Sequence, residues 1–226
     1  MTKKLIFCGL LLGGLLDAQE TRQKVQTSET QKIPFEPSAA LRLDNSIGQV
    51  NIQGWTKPDV EVTIIKSTKS EYDSAKREEG AKELEGIKTT FSRKNEEIVL
   101  ATEFKKGGFP PFETRPPVDV IYQIRMPRDG RLVVAQDTGS VNLSQLSGDI
   151  QVTVHKGSIT AMVPGDAQYS LDAKSKFGTV TSNLAKPLHG LFFLGEQLDY
   201  DTPKKAHKLY LRAKFGDIVI VHSPQP

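Results

Sequence analysis

Glycines at positions 139, 148 and 157 stand nine residues apart, and each opens a short run in which apolar and polar residues alternate. The runs are Gly139-Ser-Val141-Asn-Leu143, Gly148-Asp-Ile150-Gln-Val152-Thr-Val154 and Gly157-Ser-Ile159-Thr-Ala161. Nine residues hold one strand of about five residues and a tight connection. Alternation at every second position places one set of side chains on one face of a strand. Val141, Leu143, Ile150, Val152, Val154, Ile159 and Val163 are therefore expected inside. Ser140, Asn142, Asp149, Gln151, Thr153, Ser158 and Thr160 are expected to face water. A glycine at the strand start suits a positive φ or close approach of a neighbouring backbone.

The same grammar recurs far away in the chain. Leu41-Arg-Leu43 leads to Gly48-Gln-Val50-Asn-Ile52, Leu171-Asp-Ala173 to Gly178-Thr-Val180, and Leu211-Arg-Ala213 to Gly216-Asp-Ile218-Val-Ile220. The unit is apolar-x-apolar, a turn of a few residues, then Gly-x-apolar. Self-similarity of this kind predicts an all-β, solenoid-like β-helix or β-roll built of short Gly-led strands. The alternative is an antiparallel sandwich, whose hairpins also carry glycine turns.

The residues Gly48-Gln-Val-Asn-Ile-Gln-Gly-Trp55 followed by Val60-Glu-Val62-Thr-Ile64, and later Tyr122-Gln-Ile124-Arg-Met-Pro127-Arg-Asp-Gly130, carry a resemblance. Over residues 37–221 the chain resembles the bacterial putative-adhesin domains of unknown function. The resemblance implies a β-helix or β-roll on an exported protein, with no catalytic residues to transfer. The chain departs from that pattern in having few clean rungs and a long segment between Thr181 and Leu209.

The amino terminus addresses compartment. Lys3 and Lys4 precede an apolar run over residues 5–16, followed by Asp17-Ala18. This is the order of a signal peptide ending near residue 18. The run is too short to span a bilayer, so no stable membrane span is expected after cleavage. Removal of Lys3, Lys4 and Asp17 lowers the formal net charge of +3 by one, too little to argue for nucleic acid. Cys8 is the single cysteine and lies inside that segment. It comes too early in the apolar run for a lipoprotein site. The mature chain would then hold neither a disulfide nor a Cys-ligated metal. Export to the periplasm, the cell surface or the medium is the expectation.

Residues 19–36 are polar and aperiodic and read as a flexible leader. A single domain is expected over 37–222, with a tail at 223–226. Residues 41–67 read as three strands, with turns near Asp44-Asn45-Ser46 and Trp55-Thr-Lys-Pro58-Asp59. Trp55, the only tryptophan, reads either as a sugar-stacking platform or as the cap of a core. Residues 71–87 form the one predicted helix, capped by Ser70, with Glu71 and Asp73 at its positive end. It is expected to cover an open edge or end of the strands. A hairpin is expected around Lys94-Asn95-Glu96, and a strand over 118–126 with Val118, Val120, Tyr122, Ile124 and Met126 on one face. Between them, Phe109 and Phe112 sit among paired prolines in an exposed loop. The apolar run Leu188-His-Gly-Leu-Phe-Phe-Leu194-Gly195 reads as a buried strand or a contact patch. A last strand pair occupies 208–221.

No chemical constellation stands out. His155, His189, His207 and His222 lack metal-ligand spacing. Asp149, Asp166 and Asp217 each adjoin a glycine, but neither a calcium β-roll repeat nor an EF-hand loop surrounds them. No nucleophile elbow, P-loop or dinucleotide fingerprint is present. No catalytic, cofactor-binding or metal residues are assigned, and no cofactor is expected. The expected function is that of an exported, non-enzymatic, adhesin-like interaction module for an envelope protein or glycan. The alternative is an envelope polysaccharide-active enzyme on a β-helix scaffold, which requires clustered groups such as Asp149, Lys174 and Arg212 on one sheet face.

Overall fold

The computed structural model describes residues 22–104, 117–189, 195–202, 204 and 206–223. The segment expected to be a signal peptide (1–18), the expected loop with Phe109 and Phe112, residues 190–194 of the apolar run and residues 224–226 of the expected tail lie outside the described residues.

Among the described residues, seventeen strands and one helix follow in chain order. They are β1 (Gln23–Pro34), β2 (Ala40–Ile47), β3 (Gln49–Trp55), β4 (Asp59–Tyr72), α1 (Arg77–Glu85), β5 (Ile87–Lys94), β6 (Glu97–Phe104), β7 (Val118–Pro127), β8 (Arg131–Thr138), β9 (Val141–Ser144), β10 (Ile150–Lys156), β11 (Ile159–Pro164), β12 (Tyr169–Phe177), β13 (Val180–Ser182), β14 (Leu188–His189), β15 (Glu196–Asp201), β16 (His207–Phe215) and β17 (Ile218–Ser223). They make two sheets. Sheet A runs β1-β4-β7-β3-β9-β11-β17-β13, and sheet B runs β14-β15-β12-β16-β10-β8-β2-β6-β5.

The repeated unit is one strand of sheet B, a glycine corner, and one strand of sheet A. Five units, β2–β3, β8–β9, β10–β11, β12–β13 and β16–β17, stack in parallel. Their corners form a ladder of Gly48, Gly139, Gly157, Gly216 and Gly178, with φ between +128° and +156°. A Cβ on Gly139 would lie 1.9 Å from the Gly48 carbonyl oxygen, and one on Gly157 1.9 Å from that of Gly139. No side chain fits there. The ladder bonds continue through the corner, since Gly139 N–H donates to Lys156 O at 2.9 Å and Gly157 N–H to Phe215 O at 2.8 Å. The nine-residue step is thus half a rung: Gly139 and Gly157 sit at successive corners, and Gly148 lies in the return connection, where it closes on the Asp129 and Gly130 carbonyls.

The continuous coil expected from the repeat is realised over one step only, from β8 to β11. Elsewhere the spatial order of the rungs departs from chain order, because the last unit, β16–β17, lies between β10–β11 and β12–β13. The segment between Thr181 and Leu209 makes this insertion possible by carrying the chain out through β14 and β15, of which β15 pairs antiparallel with β12 and β14 pairs antiparallel with β15. The molecule is two sheets over one apolar cluster. Every residue expected inside is buried, and Val141 pairs with Ile159 on the neighbouring rung while Ile150 enters the same core from sheet B. Aliphatic ladders fill the interior, as in Leu41–Leu132–Ile150–Leu209–Leu171 and Val50–Val141–Ile159–Ile218–Val180. Val118, Val120, Tyr122, Ile124 and Met126 are all buried. Burial pushes the Tyr122 phenol up to about 12, and its hydroxyl bonds that of Thr102.

Three expectations are corrected. Within the segment read as a leader, residues 23–34 form β1, which pairs antiparallel with β4 along its length. Because β1 extends β4 as far as Tyr72, the helix starts at Arg77, and the turn that leads into it is held by Asp73, whose carboxylate accepts from Lys76 N–H at 2.9 Å, while Ser70 remains in the strand. The Asp44-Asn45-Ser46 segment is part of β2, and the reversal comes at Gly48. The helix does close an open end: Gly80 and Leu84 are buried, with Gly80 packed against Val25 of β1 and Tyr72 of β4, which shields the mouth between the sheets.

Candidate functional site

The parallel register lines up outward side chains in rows across sheet A. One row reads Thr63, Gln123, Asn51, Asn142 and Thr160, on β4, β7, β3, β9 and β11. Two residues further along, the next reads Glu61, Arg125, Gln53, Ser144 and Met162. Each row crosses five strands, a span of roughly 19 Å at ordinary strand spacing. The amides are bonded to each other: Asn142 Nδ2 donates to Asn51 Oδ1 at 2.9 Å, Gln49 Nε2 to the same oxygen at 3.0 Å, and Gln53 Nε2 to Gln145 Oε1 at 3.2 Å. Such bonds fix which end of each amide donates. The rows line a shallow depression of about 570 Å³.

A second depression of about 600 Å³ continues from it, sharing Gln53, Arg125, Ser144 and Met162 and reaching Trp55, Arg128 and Asp166. Two ion pairs lie along it, and Lys57 adds a cation beside the Trp55 ring. Arg125 bonds Glu61 at 3.4 Å, and Arg128 holds both oxygens of Asp166 at 3.1 and 3.2 Å. With those two pairs formed, the groove is left, among the described residues, with the single cation of Lys57 at its Trp55 end, and amide and hydroxyl groups are its main chemistry. Trp55 stands half-buried at the end of β3, outside the core, so the core-cap reading gives way. Its indole N–H donates to Asp59 O at 2.8 Å, and the Lys57 and Lys32 ammonium groups lie 5.0 and 5.9 Å from its ring.

The other residues singled out in the sequence are engaged singly. Asp149 accepts from Lys208 N–H at 2.8 Å. Asp217 accepts from the Thr179 N–H and hydroxyl, which hold its carboxyl below the usual range. His189 faces Glu196 at 3.2 Å, His207 faces Asp149 at 3.7 Å, His155 leans on Phe215, and His222 exchanges backbone bonds with the Asn183 amide. Among the described residues no group of three or more His, Cys, Asp or Glu could hold a metal ion. Lys174 and Arg212 are neighbours across β12 and β16. Asp149, however, precedes the Ile150–Leu209 pair, about 13 Å further along the strands, and Arg212 pairs instead with Asp172. The cluster required for polysaccharide chemistry is thus dispersed. Leu188 is 72% exposed rather than buried.

Asn51, Gln123 and Gln145 escaped sequence reasoning as site residues. The usable signal was the outward parity of Asn142 and Thr160, but the row exists only once register is known.

No family model matches the chain, and no curated protein matches it. Among solved structures it is similar to a "putative cell adhesion protein" of Clostridium sporogenes, with 14% identity and a TM-score of 0.47, covering 87% of this chain and 100% of that one. It is also similar to "putative adhesin" structures of Bacteroides fragilis, with 9% identity and a TM-score of 0.28, and of Parabacteroides distasonis, with 11% identity and a TM-score of 0.24. Each covers 87% of this chain and 97% of the other. Among the described residues, no helix is long and apolar enough to cross a membrane.

Proposed function

We propose that this chain is an exported, non-enzymatic, adhesin-like module that holds an envelope protein or glycan on the outer face of sheet A. The observation that supports this reading is the row of neutral amides and hydroxyls across five strands, beside a second row that joins the Glu61–Arg125 pair to Gln53 and Ser144, with Trp55 and Lys57 at one end. A surface of this kind offers many donors and acceptors without a reactive group, which suits recognition of an extended polar ligand. The basic residues Lys3 and Lys4 ahead of the apolar run support export.

Crosslinking in living cells, followed by recovery of the protein from envelope material, tests this. Asn142→Arg with Thr160→Arg fills the row with bulk from two outward positions and leaves the core untouched. Wild-type protein is expected to recover an envelope partner, and the variant about tenfold less of it at unchanged thermal stability. Recovery of no partner, or turnover of a cell-wall polysaccharide by the purified protein, would contradict the proposal.

A further inference from the structure

The corner end of sheet B carries a second surface, independent of the groove. Phe177 on β12 and Phe215 on β16 are register partners, exposed by 38% and 43%. Their ring centroids lie 5.0 Å apart with planes 10° from parallel. On the opposite side of Phe215, His155 of β10 packs at 5.8 Å. Lys176 and Lys214 place their ammonium groups 5.4 and 5.3 Å from the two phenylalanine rings, and Lys156 pairs with Phe215 across the strands. All three lysines are exposed. The carboxylates on the adjoining segments are engaged: Asp217 by Thr179, and Glu196 by Val180 N–H and His189. Asp137 borders His155 one strand away.

The place of these residues matters. The three strands end here and turn through Gly157, Gly178 and Gly216 into sheet A, with the core on the inner side of the turn. The aromatic pair therefore stands on a convex ridge. Exposed large apolar groups clustered with one sign of charge mark an interaction surface. Each ring turns one face to the other ring, and His155 flanks Phe215 while Lys176 flanks Phe177. A sugar or a base would need a free face. Exposed rings beside three lysines instead match the boundary between acyl chains and anionic headgroups.

We infer that this ridge docks the protein on an anionic lipid surface. The phenylalanine edges enter the headgroup layer, and Lys156, Lys176 and Lys214 pair with the phosphates.

Co-sedimentation with vesicles tests this, using the chain from Gln19, since the apolar residues 5–16 would bind vesicles by themselves and the described fold begins at residue 22. Vesicles of equal phosphatidylglycerol and phosphatidylcholine are compared with phosphatidylcholine alone. Binding is expected to be on the order of tenfold tighter to the anionic vesicles and to weaken with salt. Lys176→Glu with Lys214→Glu should lose that preference, and Phe177→Ser with Phe215→Ser should weaken binding several-fold. Lys88→Glu with Lys94→Glu, at the far edge of sheet B, should change little. Equal binding to both vesicles, no binding, or equal loss in the far-edge variant would overturn the inference. So would binding undiminished by the phenylalanine variant and fully displaced by soluble polyphosphate, which would mark a polyanion site.

Discussion

Gly157→Ala is expected to cost about 3–5 kcal/mol of folding stability and to lower the melting temperature by on the order of 10 °C. Two effects add. The residue sits at φ +143°, where an L side chain is strained, and its Cβ would lie 1.9 Å from the Gly139 carbonyl oxygen. That oxygen belongs to backbone, so no side-chain rotation relieves the clash. The neighbouring rung would have to move, and with it the Gly157 N–H bond to Phe215 O. Thr153→Ala, on the exposed face of the strand that leads into this corner, should change stability by no more than about 0.5 kcal/mol. Urea denaturation of the two variants measures the difference. A Gly157→Ala protein within about 1 kcal/mol of wild type would mean that the corners are not packed backbone to backbone.

Gln136→Leu is the second large effect, expected at about 2–4 kcal/mol. This glutamine is 3% exposed. Its Oε1 accepts from Asn45 Nδ2 at 2.9 Å, and its Nε2 donates to Gly48 O at 2.9 Å and Thr138 O at 2.7 Å. Leucine fills the same space and leaves a buried amide and a corner carbonyl without their bonds. Adding Asn45→Leu should recover part of the loss, because removing both partners is cheaper than orphaning one. Ser175 does the same work at the other end of the ladder, donating to Gly216 O at 2.7 Å. Denaturant melts of the single and double variants provide the cycle. Full additivity would show that the pair does not act as a unit.

The strand units were legible because burial on one face writes period two into the sequence. Val141, Ile150 and Ile159 announce themselves that way. The strand β1 did not, since its residues face solvent on most sides: Lys24, Thr27, Ser28, Glu29 and Thr30 are all exposed, so nothing selects alternation. One consequence spread along the chain. Without β1 as a partner, the end of β4 at Ser70-Glu71-Tyr72 reads as a helix start. Rung order was not legible either. Each unit resembles the others, and the apolar pattern of β16–β17 fits any position in the stack. Its place between β10–β11 and β12–β13 follows from the route through β14 and β15, which no local propensity encodes. The groove inherits the same difficulty. Thr63, Gln123, Asn51, Asn142 and Thr160 are up to 109 residues apart in the numbering and meet only through register. The glycine corners were legible as turns, but Gln136 and Ser175, which bond the corner carbonyls, look in sequence like ordinary polar residues.

The stacking order of the Gly-led units carries both proposed surfaces, and engineered disulfides read it directly. In a background of Cys8→Ser, Gln151→Cys with Tyr210→Cys joins register partners on β10 and β16, within reach of a disulfide. Gln151→Cys with Asp172→Cys joins β10 to β12, two strand spacings or about 9.6 Å apart, beyond that reach. Oxidation is expected to close the first pair nearly completely and to leave the second reduced. Closure of the second pair with the first left open would place the units in chain order and contradict the account.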